Sequence, residues 1–195
     1  MENHFARLGF EPRPWLDPEL LKSRFVELSA TIHPDKAAAE NKSTSERDFQ
    51  DLNTAFNTLR NTRSRLLHLL AISGAPKSEH IQNVPPSALQ YFSPVAEATN
   101  RADTLIKRKS AATSPMLKVQ LMEEALPQID AIQSLQHQLQ QNITAIEETL
   151  KQTTNTWREP PTPALLTQLS ESAAALGFFE RWTAQLQERI GALTF

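Results

Sequence analysis

Apolar side chains recur at helical spacing in two neighbouring segments near the start of the chain. The first segment opens with Asp17 and Pro18, a pair typical of a helix N-cap and first turn. Its apolar stripe advances by four, three and four residues through Leu21, Phe25, Leu28 and Ile32. The second segment places on one face Leu52, Ala55, Phe56 and Leu59. The pattern predicts two amphipathic helices that are long enough to pair antiparallel across the residues between them.

The same periodicity continues through the rest of the chain. A shorter apolar helix is predicted over Ser64–Ser73, with Gly74 as its left-handed C-cap. Farther on, the spacing predicts helices over about 93–109, 115–156 and 162–192. The inward stripe of the middle one is expected to comprise Met122, Leu126, Ile129, Ile132, Leu135, Leu139, Ile143, Ile146 and Leu150. That of the last one is expected to comprise Leu165, Leu169, Leu176, Phe179, Leu186 and Ile190.

These helices account for nearly the whole chain. Glycine is rare, at 4 of 195 residues, and valine and isoleucine never alternate with polar residues over the length of a strand. We therefore predict an all-α fold, in which an N-terminal helical hairpin precedes a three-helix bundle or a long antiparallel helical hairpin. Residues 77–86 combine proline with polar side chains and show no period, so they are predicted to link a domain over 1–76 to a second domain over 87–195.

Composition narrows the classes of function. The formal net charge of −2 gives no overall basic field, so neither nucleic acid nor a membrane surface is an expected partner. Cysteine is absent, which excludes a disulfide framework, a thiol nucleophile and thiolate ligands for a metal or a cluster. The longest strongly apolar run, Leu66–Ile72, is too short to cross a bilayer, and the first ten residues lack the layout of a signal peptide. A soluble, cytoplasmic protein without a cofactor is expected.

The first predicted helix stops at His33, and Pro34 and Asp35 follow at once. Proline disfavours the α region for the residue before it, so His33 is expected on a loop, with Asp35 two residues farther on. One interpretation is that Pro34 only ends the helix and Asp35 caps the turn; the other is that the tripeptide is a functional site. A histidine and an aspartate without a serine, cysteine or metal partner make no catalytic set, so neither an enzymatic nor a metal site is indicated.

The context of this tripeptide resembles a known family. The segment HPDK lies between two amphipathic helices, the first of them preceded by FARLGF, and this arrangement resembles the J-domain co-chaperones, whose signature is HPD. The stretches RFVELSATIHPDK and LNTAFNTLRNTRSRLLHLLAISG are similar to the HscB branch, the J-proteins of iron–sulfur cluster assembly. Near the C-terminus, LGFFERWTAQLQERI is similar to the helix that closes HscB proteins. The resemblance identifies residues 1–76 as a J-domain and implies a co-chaperone, not an enzyme.

The resemblance also implies a partner and a docking site. J-domains bind the ATP-bound form of a DnaK- or HscA-type heat shock protein 70 and promote its ATP hydrolysis. The docking loop would consist of His33, Pro34, Asp35 and Lys36. In it, Asp35 would accept charge-assisted hydrogen bonds from an arginine of the chaperone. The preceding helix would supply a basic face through Lys22 and Arg24 on its two flanks, with Glu27 partly neutralising Arg24.

A client would bind the C-terminal helices, and in HscB proteins the client is an iron–sulfur cluster scaffold protein. The candidate client-binding residues are Leu89, Phe92, Phe178 and Trp182. Phe178 and Trp182 fall beside the inward stripe of the last helix, where the bundle either covers them or leaves them exposed as an anchor. The start of the bundle departs from the family's pattern, because it contains Pro94 and has Glu97 as its only glutamate. A J-protein with another client, and a helical adaptor that keeps the J fold without stimulating ATP hydrolysis, are the alternatives.

Overall fold

The structure is a computed structural model that describes residues 2–32, 42–75 and 84–194. Within those ranges every regular element is an α-helix, which confirms the predicted all-α fold. The helices are α1 (His4–Arg7), α2 (Pro18–Ile32), α3 (Lys42–Arg60), α4 (Thr62–Ile72), α5 (Pro86–Leu89), α6 (Phe92–Ala111), α7 (Pro115–Asn155) and α8 (Pro163–Leu193). The bounds of the long helices lie close to the predicted ones, and α7 continues through Pro127. Gly74 follows α4 with a φ of +68°, the left-handed conformation expected there.

The first helix, α1, has only four residues, and its sequence shows no period from which it could be predicted. It forms because the Asn3 side chain caps it: Asn3 Oδ1 accepts hydrogen bonds from the backbone N–H groups of Phe5, at 3.0 Å, and Ala6, at 3.3 Å. Phe5 and Leu8 are completely buried, so α1 is fixed to the rest of the protein by its apolar side chains. Gly9 then turns the chain with a φ of +73°.

Residues Met1–Ile81 and Glu147–Ala173 form the first of two compact units. The end of α7 is tied to the N-terminal residues by polar contacts. Thr154 Oγ1 accepts a hydrogen bond from the backbone N–H of Trp15 at 3.0 Å, and the Thr62 hydroxyl donates to Glu147 Oε1 at 2.9 Å. The Lys151 ammonium lies 5.4 Å from the centre of the Trp15 ring. This unit therefore combines α1 to α4 with a part of the chain that sequence periodicity gave no reason to place there.

A buried arginine holds the loop before α2 in place. Arg65 on α4 is only 4% exposed, and its guanidinium donates to the carbonyl oxygens of Pro14, at 2.9 Å, and Leu59, at 2.7 Å. Burial lowers the pKa of Arg65 to about 10, while the charge of Glu147 acts in the opposite direction. Both carbonyl groups would lose their partner without this side chain, so Arg65 is a structural residue of the first unit.

Residues Gln82–Ile146 and Ala174–Phe195 form the second compact unit. Its core is shared by α6, α7 and α8, as the predicted three-helix arrangement requires. The buried side chains of this core include Val95, Ala102, Ala125, Ile132, Leu135, Leu139, Ala175, Phe179, Trp182, Leu186 and Leu193. The predicted linker 77–86 lies mostly outside the described residues, so the boundary between domains over 1–76 and 87–195 stays a prediction.

One part of the predicted stripe of α7 is wrong. Met122 and Leu126 are 48% and 53% exposed, whereas Leu121 and Ala125, one position earlier in each case, are 2% exposed. Leu121 and Ala125 lie on the same side of α7 as the buried Ile132, so this side of the helix faces the core. In this segment apolar residues lie on two adjacent sides of the helix, and the size of their side chains alone does not indicate which side faces the core.

Candidate functional site

The predicted docking loop lies outside the described residues. This holds for His33, Pro34, Asp35 and Lys36 alike, so the roles given to them stay predictions. The structure does describe the two helices that flank this loop, and they pack against each other.

Helices α2 and α3 run antiparallel, and side-chain contacts join them at two positions along their length. Near the loop, the Ser45 hydroxyl donates a hydrogen bond to the carbonyl oxygen of Ile32 at 2.6 Å. Farther from it, the rings of Phe25 and Phe56 stack with their centroids 4.2 Å apart. The Ile32 carbonyl belongs to the last turn of α2, where no partner is available within the helix, so Ser45 satisfies it from α3. These contacts therefore hold the end of α2 and the start of α3 close to each other.

The arginine of the basic face is held in a defined position. Arg24 Nη1 donates to Glu27 Oε2 at 2.7 Å, which confirms the expected partial neutralisation of its charge. Arg24 Nε donates to the carbonyl oxygen of Leu8 at 3.4 Å, and the guanidinium lies over Gly9, where a Cβ would come within 3.1 Å of Nη2. The turn after α1 therefore supports Arg24, a long-range contact that helix periodicity could not predict. Lys22 is exposed on the other flank of α2.

Three aromatic side chains form a cluster on the second unit. Phe92 begins α6 and is 49% exposed, and its ring centre lies 5.5 Å from that of Trp182 and 6.3 Å from that of Phe178. Phe178 and Trp182 are themselves 5.3 Å apart. We call Phe92 and Phe178 the aromatic patch, because these two rings are the ones that solvent reaches. Leu89, three residues before Phe92, is also exposed, at 56%.

Trp182 belongs to the core of the second unit. It is only 8% exposed and lies 6.2 Å from the buried ring of Phe179, so for Trp182 the first of the two alternatives holds and the bundle covers it. The stripe is wider than the sequence pattern indicated, because α8 is covered by neighbouring helices over a broad face. Phe178 is half-buried and packs against the same core, and the Arg181 guanidinium lies 4.7 Å above its ring. The pair thus divides into one core residue and one partly exposed residue.

The position of Phe92 is fixed by the residue before it. The Tyr91 hydroxyl accepts a hydrogen bond from the Asn142 side chain at 2.8 Å, and the Tyr91 ring meets Phe179 edge-on at 5.9 Å. Because Tyr91 is anchored on α7 and α8, the start of α6 is rigidly placed and Phe92 projects from it. A partly exposed apolar surface on a fixed backbone is typical of a site that binds an apolar segment of another protein.

In the described ranges, no three histidine, aspartate or glutamate side chains come close enough together to hold a metal ion. None of the helices described has the length and apolar character needed to cross a bilayer.

No protein-family model matches the chain. Its sequence is similar to the co-chaperone protein HscB homolog of Shewanella pealeana, with 27% identity over 171 residues that cover 76% of this chain and 98% of that protein. The mitochondrial J-type co-chaperone jac1 of Schizosaccharomyces pombe is 34% identical over 83 residues, or 42% of this chain and 37% of that one. The HscB homolog of Vibrio vulnificus is 38% identical over 79 residues, 37% of this chain and 44% of the relative.

Solved structures of HscB share the fold. The chaperone HscB from Vibrio cholerae superposes with a TM-score of 0.65 and 15% identity, covering 99% of this chain and all of that one. The human co-chaperone HscB gives a TM-score of 0.56 and 17% identity over 96% of this chain and 82% of the human chain. The predicted resemblance to HscB-like J-type co-chaperones is thereby confirmed, in sequence by the bacterial relatives and in fold by the two structures.

Proposed function

We propose that the chain is a J-type co-chaperone of the HscB kind. It binds a DnaK- or HscA-type heat shock protein 70 through the loop of His33, Pro34, Asp35 and Lys36, stimulates its ATPase and delivers a client, an iron–sulfur cluster scaffold protein. The observation that carries this proposal is the HPD tripeptide between α2 and α3, two helices held antiparallel, in a chain that aligns with almost the whole of a bacterial HscB homolog. The chain itself catalyses no reaction in this scheme.

The proposed mechanism is a shift in the population of chaperone states. Asp35 accepts charge-assisted hydrogen bonds from an arginine of the chaperone, and His33 contacts the segment that joins the chaperone's two domains. Pro34 sets the shape of the loop. These contacts accelerate hydrolysis only if they are stronger in the hydrolysing state than in the resting state, because a ligand that binds both states equally shifts nothing.

The α2 face contributes electrostatic attraction to the same docking event. Lys22 is exposed and Arg24 is partly exposed, so both reach a partner that carries negative charge. The ion pair of Arg24 with Glu27 removes part of that attraction. We therefore assign to this face a modest contribution that high salt weakens further.

Lys22→Ala is expected to weaken chaperone stimulation, and Glu27→Gln to strengthen it, at low ionic strength. Each change should alter the concentration of chain that gives half-maximal stimulation by about two- to fivefold, the range for a solvent-exposed ion pair. Glu27→Gln leaves the Arg24 guanidinium in place but removes the carboxylate that neutralises it. The measurement is the ATPase rate of an HscA- or DnaK-type chaperone against the concentration of chain, at 50 mM and at higher salt.

Arg101→Ala is the matched control, because Arg101 is an exposed arginine of the second unit paired to Glu97. It should leave the half-maximal concentration unchanged. If Glu27→Gln weakened stimulation instead, α2 would not face an acidic surface of the chaperone.

The aromatic patch is the proposed client site. Phe92→Ala with Phe178→Ala should reduce binding to an iron–sulfur cluster scaffold protein by at least about tenfold, since truncation of aromatic anchors at an interface costs more than 1 kcal/mol each when they are central to it. The double variant should still stimulate the ATPase of the chaperone, because the docking loop is untouched. Calorimetric or surface-based titration with the scaffold protein measures the first effect, and the ATPase assay measures the second.

Met122→Ala with Leu126→Ala is the control pair, since both side chains are apolar and about as exposed as Phe92 but lie on α7. Equal losses in the two double variants would show that general apolar character, not the aromatic patch, supports binding. Wild-type chain without measurable affinity for the scaffold protein would favour the second candidate, a J-protein with another client. The observation in favour of that alternative is the first part of α6, where Pro94 and the single Glu97 depart from the HscB pattern.

A further inference from the structure

Two histidines stack on each other in the first unit, at a place that the proposed docking does not use. His68 on α4 is 7% exposed, and its ring lies 4.3 Å from that of His4, with an angle of 23° between the planes. The Phe5 ring also stacks on His68, with the ring centres 5.8 Å apart. The backbone N–H of His4 donates a hydrogen bond to His68 Nε2 at 3.0 Å. Because a backbone N–H can only donate, Nε2 must carry a lone pair and the His68 ring must be neutral.

This hydrogen bond completes the N-terminus of α1. The first N–H groups of a helix have no partner within it, and the Asn3 side chain satisfies those of Phe5 and Ala6. The N–H of His4, the first residue of α1, is satisfied by His68 from another helix. A helix of four residues has no stability of its own, so its attachment depends on such contacts and on the burial of Phe5.

Protonation of His68 is incompatible with this arrangement. An imidazolium ring has no lone pair, so Nε2 would face the N–H of His4 as a second donor. The His4 ring contacts His68 through its face, and no hydrogen bond joins His4 Nδ1 to the His68 ring. Protonation of His68 is accordingly disfavoured. Burial, and secondarily the charge of His4, lowers the pKa of His68 below its ordinary value of 6.5.

The charged groups around His68 do not offset the lowering of its pKa. On α4 the guanidinium of Arg65, one turn earlier, is bound to backbone carbonyl groups. On α1 the nearest charged side chain in sequence is Arg7, which binds the carboxylates of Glu2 on its own segment and of Asp48 and Asp51 on α3. In the part of the chain that the structure describes, no carboxylate forms an ion pair with His68. A charge on its ring would therefore be buried without an ion-pair partner among the described residues.

We propose that His4 and His68 form a pH-sensitive latch that fastens α1 to α4 when His68 is neutral and releases it when His68 is protonated. Release also affects α2, because the residues that follow the latch, Leu8 and Gly9, are those that support Arg24. The latch thus couples the protonation of a buried ring to the support of a side chain on the basic face. This inference rests on the contacts of α1 and α4 and does not depend on the identity of the partner.

The sign of the pH dependence follows from the direction of the shift. The native state binds fewer protons than the unfolded state wherever only the unfolded His68 is charged. The contribution of the latch to stability is therefore fully present above about pH 6.5, the ordinary histidine pKa. It is lost as the pH falls from there through the lowered pKa of His68 in the folded protein.

Hydrogen exchange of the full chain, followed by mass spectrometry on the peptide that covers residues 2–10, tests the latch. After correction for the intrinsic exchange rate, protection of this peptide should fall by about fivefold between pH 7.5 and pH 5, the factor expected for one lost neutral hydrogen bond. His68→Gln keeps an acceptor at the position of Nε2 and cannot be protonated in this range, so it should show no such fall. His137→Gln changes an exposed histidine on α7 and should behave as wild type.

A second variant keeps the test decisive if His68→Gln does not fold. His4→Ala retains the backbone N–H but removes the ring that faces His68, so the His68 titration, followed by its ring proton signals in NMR, should move to higher pH. Protection of residues 2–10 that does not change between pH 7.5 and pH 5 in wild type would overturn the proposal. So would a fall of equal size in His68→Gln, or an unmoved His68 titration in His4→Ala.

Discussion

Asp35→Asn and His33→Gln are each expected to reduce stimulation of a DnaK- or HscA-type ATPase to the basal rate. Asparagine has the shape of aspartate but no charge, so the charge-assisted hydrogen bonds to an arginine of the chaperone are lost. Loss of one partner of such a pair costs about 2–5 kcal/mol, which corresponds to a decrease in affinity of about thirtyfold or more. Steady-state ATP hydrolysis at a fixed chaperone concentration, with increasing variant, measures the loss.

Folding should be unaffected by either change. Neither residue belongs to the apolar stripes by which α2 and α3 pack, so far-UV circular dichroism and the melting temperature should remain close to those of the wild type. Asp130→Asn and His137→Gln are the matched controls, because they make the same replacements at exposed positions of α7. Full stimulation by Asp35→Asn would mean that the HPD tripeptide only ends a helix and that the J-protein proposal is wrong.

Trp182→Ala is expected to lower the free energy of unfolding by about 3–5 kcal/mol, the range for removing a buried aromatic side chain. Trp182 is 8% exposed and contacts the rings of Phe92, Phe178 and Phe179. Phe178→Ala should cost clearly less, because part of the Phe178 ring is already in contact with water. Unfolding of the full chain by denaturant, followed by circular dichroism, measures both changes.

This difference determines how the client site must be tested. A joint replacement of Phe178 and Trp182 would destabilise the second unit and so would reduce client binding for a structural reason. The pair of Phe92 and Phe178 avoids this problem. A Trp182→Ala variant whose unfolding free energy lies within about 1 kcal/mol of the wild type would contradict the assignment of Trp182 to the core.

The long helices were predictable because their burial is regular. On α8, the predicted residues Leu169, Leu176, Phe179 and Leu186 are all buried, and on α2 the predicted Leu21 is buried. A stripe that repeats over many turns leaves one choice of inward face. Where apolar residues occupy two adjacent rows, as at the start of α7, the pattern leaves two choices, and packing against neighbouring helices selects between them.

Short elements and long-range contacts were not predictable in the same way. Helices α1 and α5 have four residues each, which is about one turn and too few for a period to appear. The stability of α1 comes instead from the Asn3 cap and from His68, which lies 64 residues away from His4 in sequence. The support of Arg24 by Leu8 and Gly9 is of the same kind, since it depends on how α1 and α2 pack.

The candidate site has two parts, the docking loop with its basic face and the aromatic patch, and the sequence predicted the first part more completely than the second. The HPD tripeptide and the basic residues are local motifs that can be identified in the sequence. The aromatic patch is a tertiary feature, because Phe92 on α6 meets Phe178 on α8 only in the folded chain. The sequence indicated the separate members of this patch, but which of them solvent reaches depends on packing.

ATP hydrolysis by purified HscA- and DnaK-type chaperones, with increasing wild-type chain, is the most direct test of the proposed co-chaperone function. The assay should be run with and without an iron–sulfur cluster scaffold protein. We expect the rate to rise and saturate with at least one of the two chaperones, and to rise further when the scaffold protein is present. A rate that stays at the basal level with both chaperones, at every concentration of the chain, would contradict the proposal.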